Sequence, residues 1–287
     1  MTSTRRVAVI TGGSKGIGRE TAHALAADGW DIALCSRDSR DAETTALEIA
    51  SVHGVSSYGA RADIIDSGAM DEFASEVARQ WTGVDLLVCN AAVLGPVGSV
   101  PEVPAGAIES ALLVNVVGTT NSIRSFWPLL SRSDVFRIIA LAGGGLGGPG
   151  QMTRAPAYVP SKAAVVSLVE IISDDVVEAG GTINAIAPGN IPTSFMRSVL
   201  DAGESAAGET LFTQAREREG RPIGDSLSHF LSLLRFIASP ESAPISGRFL
   251  SARWNSPDQL RAIINVGLTD NLFRLRRIDN DLYLEQN

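Results

Sequence analysis

The chain has 287 residues, of which 45% are hydrophobic and 20% charged, enough apolar material to bury one large core in one domain. Its formal net charge of −8 argues against a nucleic-acid groove. Two cysteines, Cys35 and Cys89, and three scattered histidines, His23, His53 and His229, offer neither a disulfide framework nor a zinc cluster, so no metal is expected.

Met1-Thr2-Ser3-Thr4-Arg5-Arg6 runs straight into an apolar segment with no signal-peptide core, and no stretch is long enough to cross a membrane. A cytoplasmic protein without a membrane partner is expected. The first strand, near 6–11, leads into Thr11-Gly12-Gly13-Ser14-Lys15-Gly16-Ile17-Gly18 and then a helix near 17–28. A strand, a glycine turn and a helix N-terminus form a pyrophosphate site, because unpaired backbone N–H groups and the helix dipole both face the anion. Glycine also lets the backbone approach the phosphates. The second strand, near 31–36, ends at Ser36-Arg37, where a doubly wound fold meets the adenosine ribose. An acid there would accept from a free 2′-hydroxyl, whereas Arg37 and Lys15 attract a 2′-phosphate. NADP(H) is therefore favoured over NAD(H).

Strands near 56–60, 85–89, 135–142 and 182–187 then alternate with helices near 40–53, 67–81, 104–130, 158–179 and 226–238. That alternation predicts a single-domain α/β fold, a doubly wound, Rossmann-like parallel sheet with ligands beyond the carboxyl ends of its strands. Tyr158 and Lys162 stand at i and i+4 at the start of a helix, so both can face the cleft, and Pro160 falls in the tolerant first turn. A phenol ionises near pH ~10, and a nearby ammonium should lower that value, which makes Tyr158 a candidate acid/base. The preceding loop, Ala142-Gly143-Gly144-Gly145-Leu146-Gly147-Gly148-Pro149, has no hydroxyl, and no serine occurs between Ser133 and Ser161. The least regular stretch, 190–224, places Gly203, Gly208 and Gly220 among polar residues and suits a mobile segment.

These motifs together resemble the short-chain dehydrogenase/reductase family. The resemblance covers residues 6 to 193 in six ordered matches. They are the glycine turn from Thr11 to Gly18, the adenine-contacting pair Asp63-Ile64, and the turn Cys89-Asn90-Ala91-Ala92, where Ala92 replaces the usual glycine. Asn115 in a helix, Tyr158 with Lys162, and the segment Pro188-Gly189-Asn190-Ile191-Pro192-Thr193 complete the set. The resemblance implies a cofactor site built by Gly12, Ser14, Lys15, Gly16, Ile17, Gly18, Arg37, Asp63, Ile64, Asn90, Ala91, Pro188, Gly189, Ile191 and Thr193. It implies that Tyr158 is the acid/base, that Lys162 also holds the nicotinamide ribose, and that Asn115 anchors a water linking Lys162 to solvent. It further implies a small carbonyl or alcohol substrate, a lid over 190–224, and a homodimer or homotetramer.

Two departures from the family remain. Ala142, Gly143 or Gly145 takes the place of a serine that hydrogen-bonds the substrate oxygen, a role that a backbone N–H of the 143–145 turn, Gln151 or Thr153, or the substrate itself would have to fill. Past the last strand, in Ser246–Ala252, the catalytic domain of 1–252 gives way to a tail, 253–287, whose apolar positions point to packing on the body or on a neighbouring subunit. The sequence favours an NADP(H)-dependent oxidoreductase. A nucleotide-binding relative without catalysis, or one performing a non-redox epimerisation or cyclisation, is the alternative.

Overall fold

Apolar residues alternate between the two faces of the central strands, and that alternation sets the layers. The structure, a computed structural model, describes residues 5–144, 146, 152–189, 191–192, 194–220 and 224–275. The strands are β1 (Val7–Thr11), β2 (Asp31–Ser36), β3 (Ser57–Arg61), β4 (Leu86–Cys89), β5 (Arg137–Leu141), β6 (Thr182–Ala187) and β7 (Arg248–Ser251). They form one parallel sheet in the order β3-β2-β1-β4-β5-β6-β7. The helices are α1 (Gly16–Ala27), α2 (Ser39–His53), α3 (Ser67–Gln80), α4 (Ala105–Leu112), α5 (Gly118–Leu130), α6 (Tyr158–Ile171), α7 (Ser173–Glu178), α8 (Ser194–Arg218), α9 (Gly224–Ile237) and α10 (Pro257–Val266).

Val7 and Val9 face one side of the sheet and pack with Phe73 of α3, Phe126 of α5 and Val169 of α6. Their neighbours Ala8 and Ile10 face the other side and meet Leu25 of α1, Ile49 of α2, Leu233 of α9 and Leu260 of α10. Each fully buried aliphatic or aromatic side chain contributes about 1.5–3 kcal/mol, so the sheet is held mainly by these two apolar layers. Chain direction out of the sheet reverses between β1 and β4, which opens a crevice at their carboxyl ends. Among the described residues no helix is long and apolar enough to cross a membrane.

The strands lie where the sequence predicts them, but several helices differ. The stretch expected as one helix over 104–130 contains a π-helical turn at Leu113–Val117, between α4 and α5. Its cause is Asn115, whose amide is drawn out of the helix to both backbone groups of Val93. The segment expected to be irregular, 190–224, is largely α8, with the helical backbone broken at Gly203 (φ 79, ψ 164) and Gly208 (φ 74, ψ 152). Only glycine adopts such angles without strain. Val199, Ala207, Leu211 and Ala215 turn one face of α8 inward, onto a cluster that includes Leu94, Ala155 and Tyr158.

Beyond β7 the chain turns back on the body. Ser256 and Gln259 close both ends of a capping box at the start of α10, and Leu260 is fully buried. Arg248 donates from Nη1 to the carbonyls of Asp270 (2.8 Å) and Leu272 (2.9 Å). The Phe249 N–H donates to the Phe273 carbonyl at 2.7 Å, so the returning segment lies along the outer edge of β7.

Candidate active site

At the end of β1 the chain turns through Gly12 and Gly16, both left-handed (φ 63 and 54), before α1 begins. No side chain caps α1, leaving its first N–H groups available to an anion. The turn is braced from β4: Asn90 Nδ2 donates to the carbonyls of Thr11 (2.9 Å) and Gly12 (3.0 Å). In return, Thr11 Oγ1 accepts from the N–H groups of Asn90 (3.1 Å) and Ala91 (3.2 Å). A Cβ on Gly18 would stand 2.4 Å from both Asn90 Nδ2 and the Gly12 carbonyl, so only glycine fits there. The Asn90 amide is thus committed to shaping the turn.

A cleft of about 920 Å³ runs from this turn across the carboxyl ends of the strands. Ser14, Lys15, Gly16, Ile17, Arg37, Asp63 and Ile64 line its end near β2 and β3, and Ala91, Tyr158, Lys162, Pro188, Gly189 and Ile191 line its other half. Gly18 lies behind the turn, and Thr193, Gly145 and Gln151 lie outside the described residues. An uncapped helix, a glycine cradle and a cleft of this size fit a dinucleotide.

Lys15 and Arg37, paired by the sequence as phosphate ligands, are not equivalent. Lys15 Nζ lies 2.5 Å from Asp41 Oδ2, and that hydrogen bond and charge, with a smaller contribution from Asp38, raise its pKa. Arg37 is exposed and has no ion pair among the described residues, which leaves it the freer cation. Asp38 is occupied in capping α2 through the Asp41 N–H, at 3.1 Å.

At the other end, Tyr158 is 9% and Lys162 2% exposed. Lys162 Nζ donates to the Leu141 carbonyl at 2.7 Å and lies 5.9 Å from the centre of the Tyr158 ring. Burial pushes the Lys162 ammonium down to about 8, against a small opposing contribution from Cys89, and pushes the Tyr158 phenol up to about 12. The expected lowering of the phenol by its neighbour is therefore corrected in this geometry. The ammonium is turned to a carbonyl, and desolvation outweighs attraction at that range.

Tyr158 is held by packing, with the Phe195 ring edge-on at 5.5 Å. A Cβ on Gly143 would come within 2.8–3.0 Å of the Tyr158 ring and hydroxyl. Ala142 is only 2% exposed, lies in the core, and spends its N–H on the Ile186 carbonyl (2.9 Å). Of the positions considered for a hydroxyl, Gly143 is thus the described one that faces the phenol.

Asn115 sits behind the cleft, fully buried. Its Oδ1 accepts from the Val93 N–H (2.8 Å), and its Nδ2 donates to the Val93 carbonyl (2.9 Å) and to Ser161 Oγ (2.8 Å). Ser161 Oγ donates in turn to the Tyr158 carbonyl at 2.7 Å. This chain fixes the start of α6, and Ser161 is a positioning residue that sequence reasoning missed. The region 190–224, expected over the pocket, supplies Thr210, Gln214 and Arg218 of α8 to the cleft lining, whereas three further lining residues, Arg253, Trp254 and Asn255 after β7, were missed. The signal for the latter three was the chain's continuation past its last strand.

Comparison with known proteins agrees with this architecture. The family described as short chain dehydrogenase matches residues 6–204. The 3-oxoacyl-(acyl-carrier-protein) reductase FabG of Staphylococcus epidermidis is 30% identical over 196 residues, covering 68% of this chain and 78% of its own. Its Staphylococcus aureus counterpart is 28% identical over 246 residues, covering 84% of this chain and 94% of its own. Pseudomonas aeruginosa RhlG, solved in an NADP active-site complex, superposes with a TM-score of 0.71 at 26% identity over 87% of this chain and 96% of its own. An NAD+-bound xylitol dehydrogenase shares the fold with a TM-score of 0.74 at 23% identity over 86% of this chain and 96% of its own. With its seven-stranded parallel sheet and a family match that spans residues 6–204, the chain belongs to the short-chain dehydrogenase family of oxidoreductases.

Proposed function

We propose that this protein is an NADP(H)-dependent oxidoreductase that reduces a carbonyl, or oxidises the matching alcohol, on a small organic molecule, with Tyr158 as the acid/base. The observation that carries the reading is the convergence of Tyr158, Gly143 and buried Lys162 in a single cleft that begins at the glycine turn. In this reading the turn residues Gly12, Ser14, Gly16 and Ile17 hold the pyrophosphate, Asp63 and Ile64 the adenine, and Pro188, Gly189 and Ile191 the nicotinamide side. Bound nicotinamide supplies the hydride. A phenol held near 12 keeps its proton at neutral pH, so Tyr158 is loaded as a donor to the carbonyl oxygen. Lys162, buried beside it, holds the nicotinamide ribose, while Asn115 and Ser161 keep the first turn of α6 in place. FabG relatives bear the name of a ketone-reducing enzyme, which supports the carbonyl as the reacting group.

Preference for NADP(H) rests on Arg37, since Lys15 is shared with Asp41. NADPH should bind at least about tenfold tighter than NADH, ~1.4 kcal/mol. Arg37→Asp should reverse the order, and equal affinities by calorimetric titration of the parent would overturn the assignment. For the chemistry, Tyr158→Phe should lower kcat by at least about 10²-fold while leaving cofactor affinity nearly unchanged. Parent-rate turnover by that variant would promote the non-redox alternative. The absence of a side-chain hydroxyl at Gly143 is the observation that keeps that alternative in view.

A further inference from the structure

Charge is distributed unevenly along the cleft. Its acids, Asp38, Asp41 and Asp63, all follow β2 or β3, at the end assigned to adenosine. Beyond β6 the described lining contains no acid and gains two guanidinium groups, Arg218 at the end of α8 and Arg253 after β7. The strand order fixes this separation, because β2 and β7 lie on opposite sides of the β1–β4 crevice.

Arg253 is presented by a shaped turn. Asn255 Oδ1 accepts from the Ser251 N–H (2.8 Å), while the N–H groups of Trp254 (3.0 Å) and Asn255 (2.8 Å) donate to the Ser251 carbonyl. Ser251 itself is in register with Ala187, directly before the Pro188-Gly189 corner. The Arg253 guanidinium lies over the Trp254 ring, 4.5 Å from its centre, and has no carboxylate partner among the described residues. A stacked guanidinium keeps its N–H fork free for an oxyanion. The same cleft is lined by apolar Met152, Phe195, Met196, Leu211 and Phe249, with uncharged Thr153, Thr210 and Gln214 among them.

We infer that the substrate is an anionic amphiphile: a carbonyl or alcohol carried on an apolar chain whose far end bears a carboxylate or phosphate, held by Arg253. This deepens the oxidoreductase reading and rests on it for which half of the cleft is free for substrate. Specificity follows from the same arrangement. An uncharged analogue leaves the guanidinium without its partner, whereas an acidic one satisfies its fork.

The test reads binding, so that its failure is distinct from failure of the redox chemistry. Protein saturated with NADPH, or with NADH if that binds better, is titrated calorimetrically with hexanoate, hexyl phosphate and uncharged hexanamide. At least one anion should bind tenfold or more tightly than hexanamide. The two anions distinguish carboxylate from phosphate. Arg253→Gln should abolish the preference while leaving cofactor affinity unchanged, and Tyr158→Phe should retain it. Equal binding of all three, binding of none, or an Arg253→Gln protein with the parent's anion preference would overturn the proposal. A loss of cofactor affinity in Arg253→Gln would also overturn it, by moving the arginine to the cofactor.

Discussion

Lys162 places a charge where the surroundings oppose it. Its folded pKa of about 8 lies below the ordinary value of 10.5, so between those limits the native state binds fewer protons than the unfolded chain. The cost to stability is full below about pH 8 and fades as pH rises toward 10.5. The shift corresponds to about 3 kcal/mol at most, partly offset by the hydrogen bond to Leu141. Lys162→Met should therefore raise the Tm at pH 7, and that advantage should shrink by pH 10. A constant difference across this range would show that the lysine is not buried charged. Gly143 gives a second residue-level test. Gly143→Ser sets a Cβ 2.8–3.0 Å from the packed Tyr158 ring and hydroxyl, so the phenol must shift, and if backbone N–H groups of this turn already stabilise the oxyanion, kcat should fall. A rise approaching ~10²-fold would mean that the donor role had been empty. The spacing of Tyr158 and Lys162 was legible in the sequence, since a helix converts i and i+4 into one face. Their protonation was not. It depends on burial and on which carbonyl the ammonium finds, and neither is encoded in the spacing.

At the scale of elements, the strands could be read because each is a short apolar run between turn residues, and a sheet covered on both faces demands such runs. Helix α8 could not. Its exposed face and its glycines give it the composition of a loop, and only docking of Val199, Ala207 and Leu211 against the Tyr158 region makes it helical. The π-helical turn was equally hidden, because it arises when Asn115 bonds to Val93 across a loop that sequence alone cannot fold. Lys15 shows the reverse failure. Its position in the glycine turn was legible, but its partner Asp41 lies on α2, and pairing across elements is set by their packing.

For the whole molecule, residues 256–275 are packed on the same body as the sheet. Leu260 is buried, and Ile264, Leu268 and Phe273 pack on the same core layer as α9. Truncation after Asn255 should remove about 3 kcal/mol or more and lower the Tm by roughly 6–12 °C. Scanning calorimetry of parent and truncated protein measures this, and an unchanged Tm would show that the tail is not docked.

The returning segment has one more effect. A terminal strand offers a row of unpaired N–H and C=O groups to any other chain, and here the Phe249 N–H is already bonded to Phe273 while Arg248 holds the carbonyls on either side of Asn271. The returning segment thus covers part of this edge. Since its first residues, Arg253 to Asn255, also form a wall of the cleft, covering of this edge and the proposed anion recognition would depend on a single docking event. A lesion that frees the tail should produce molecules that stick to one another and no longer select their substrate, two defects with one origin.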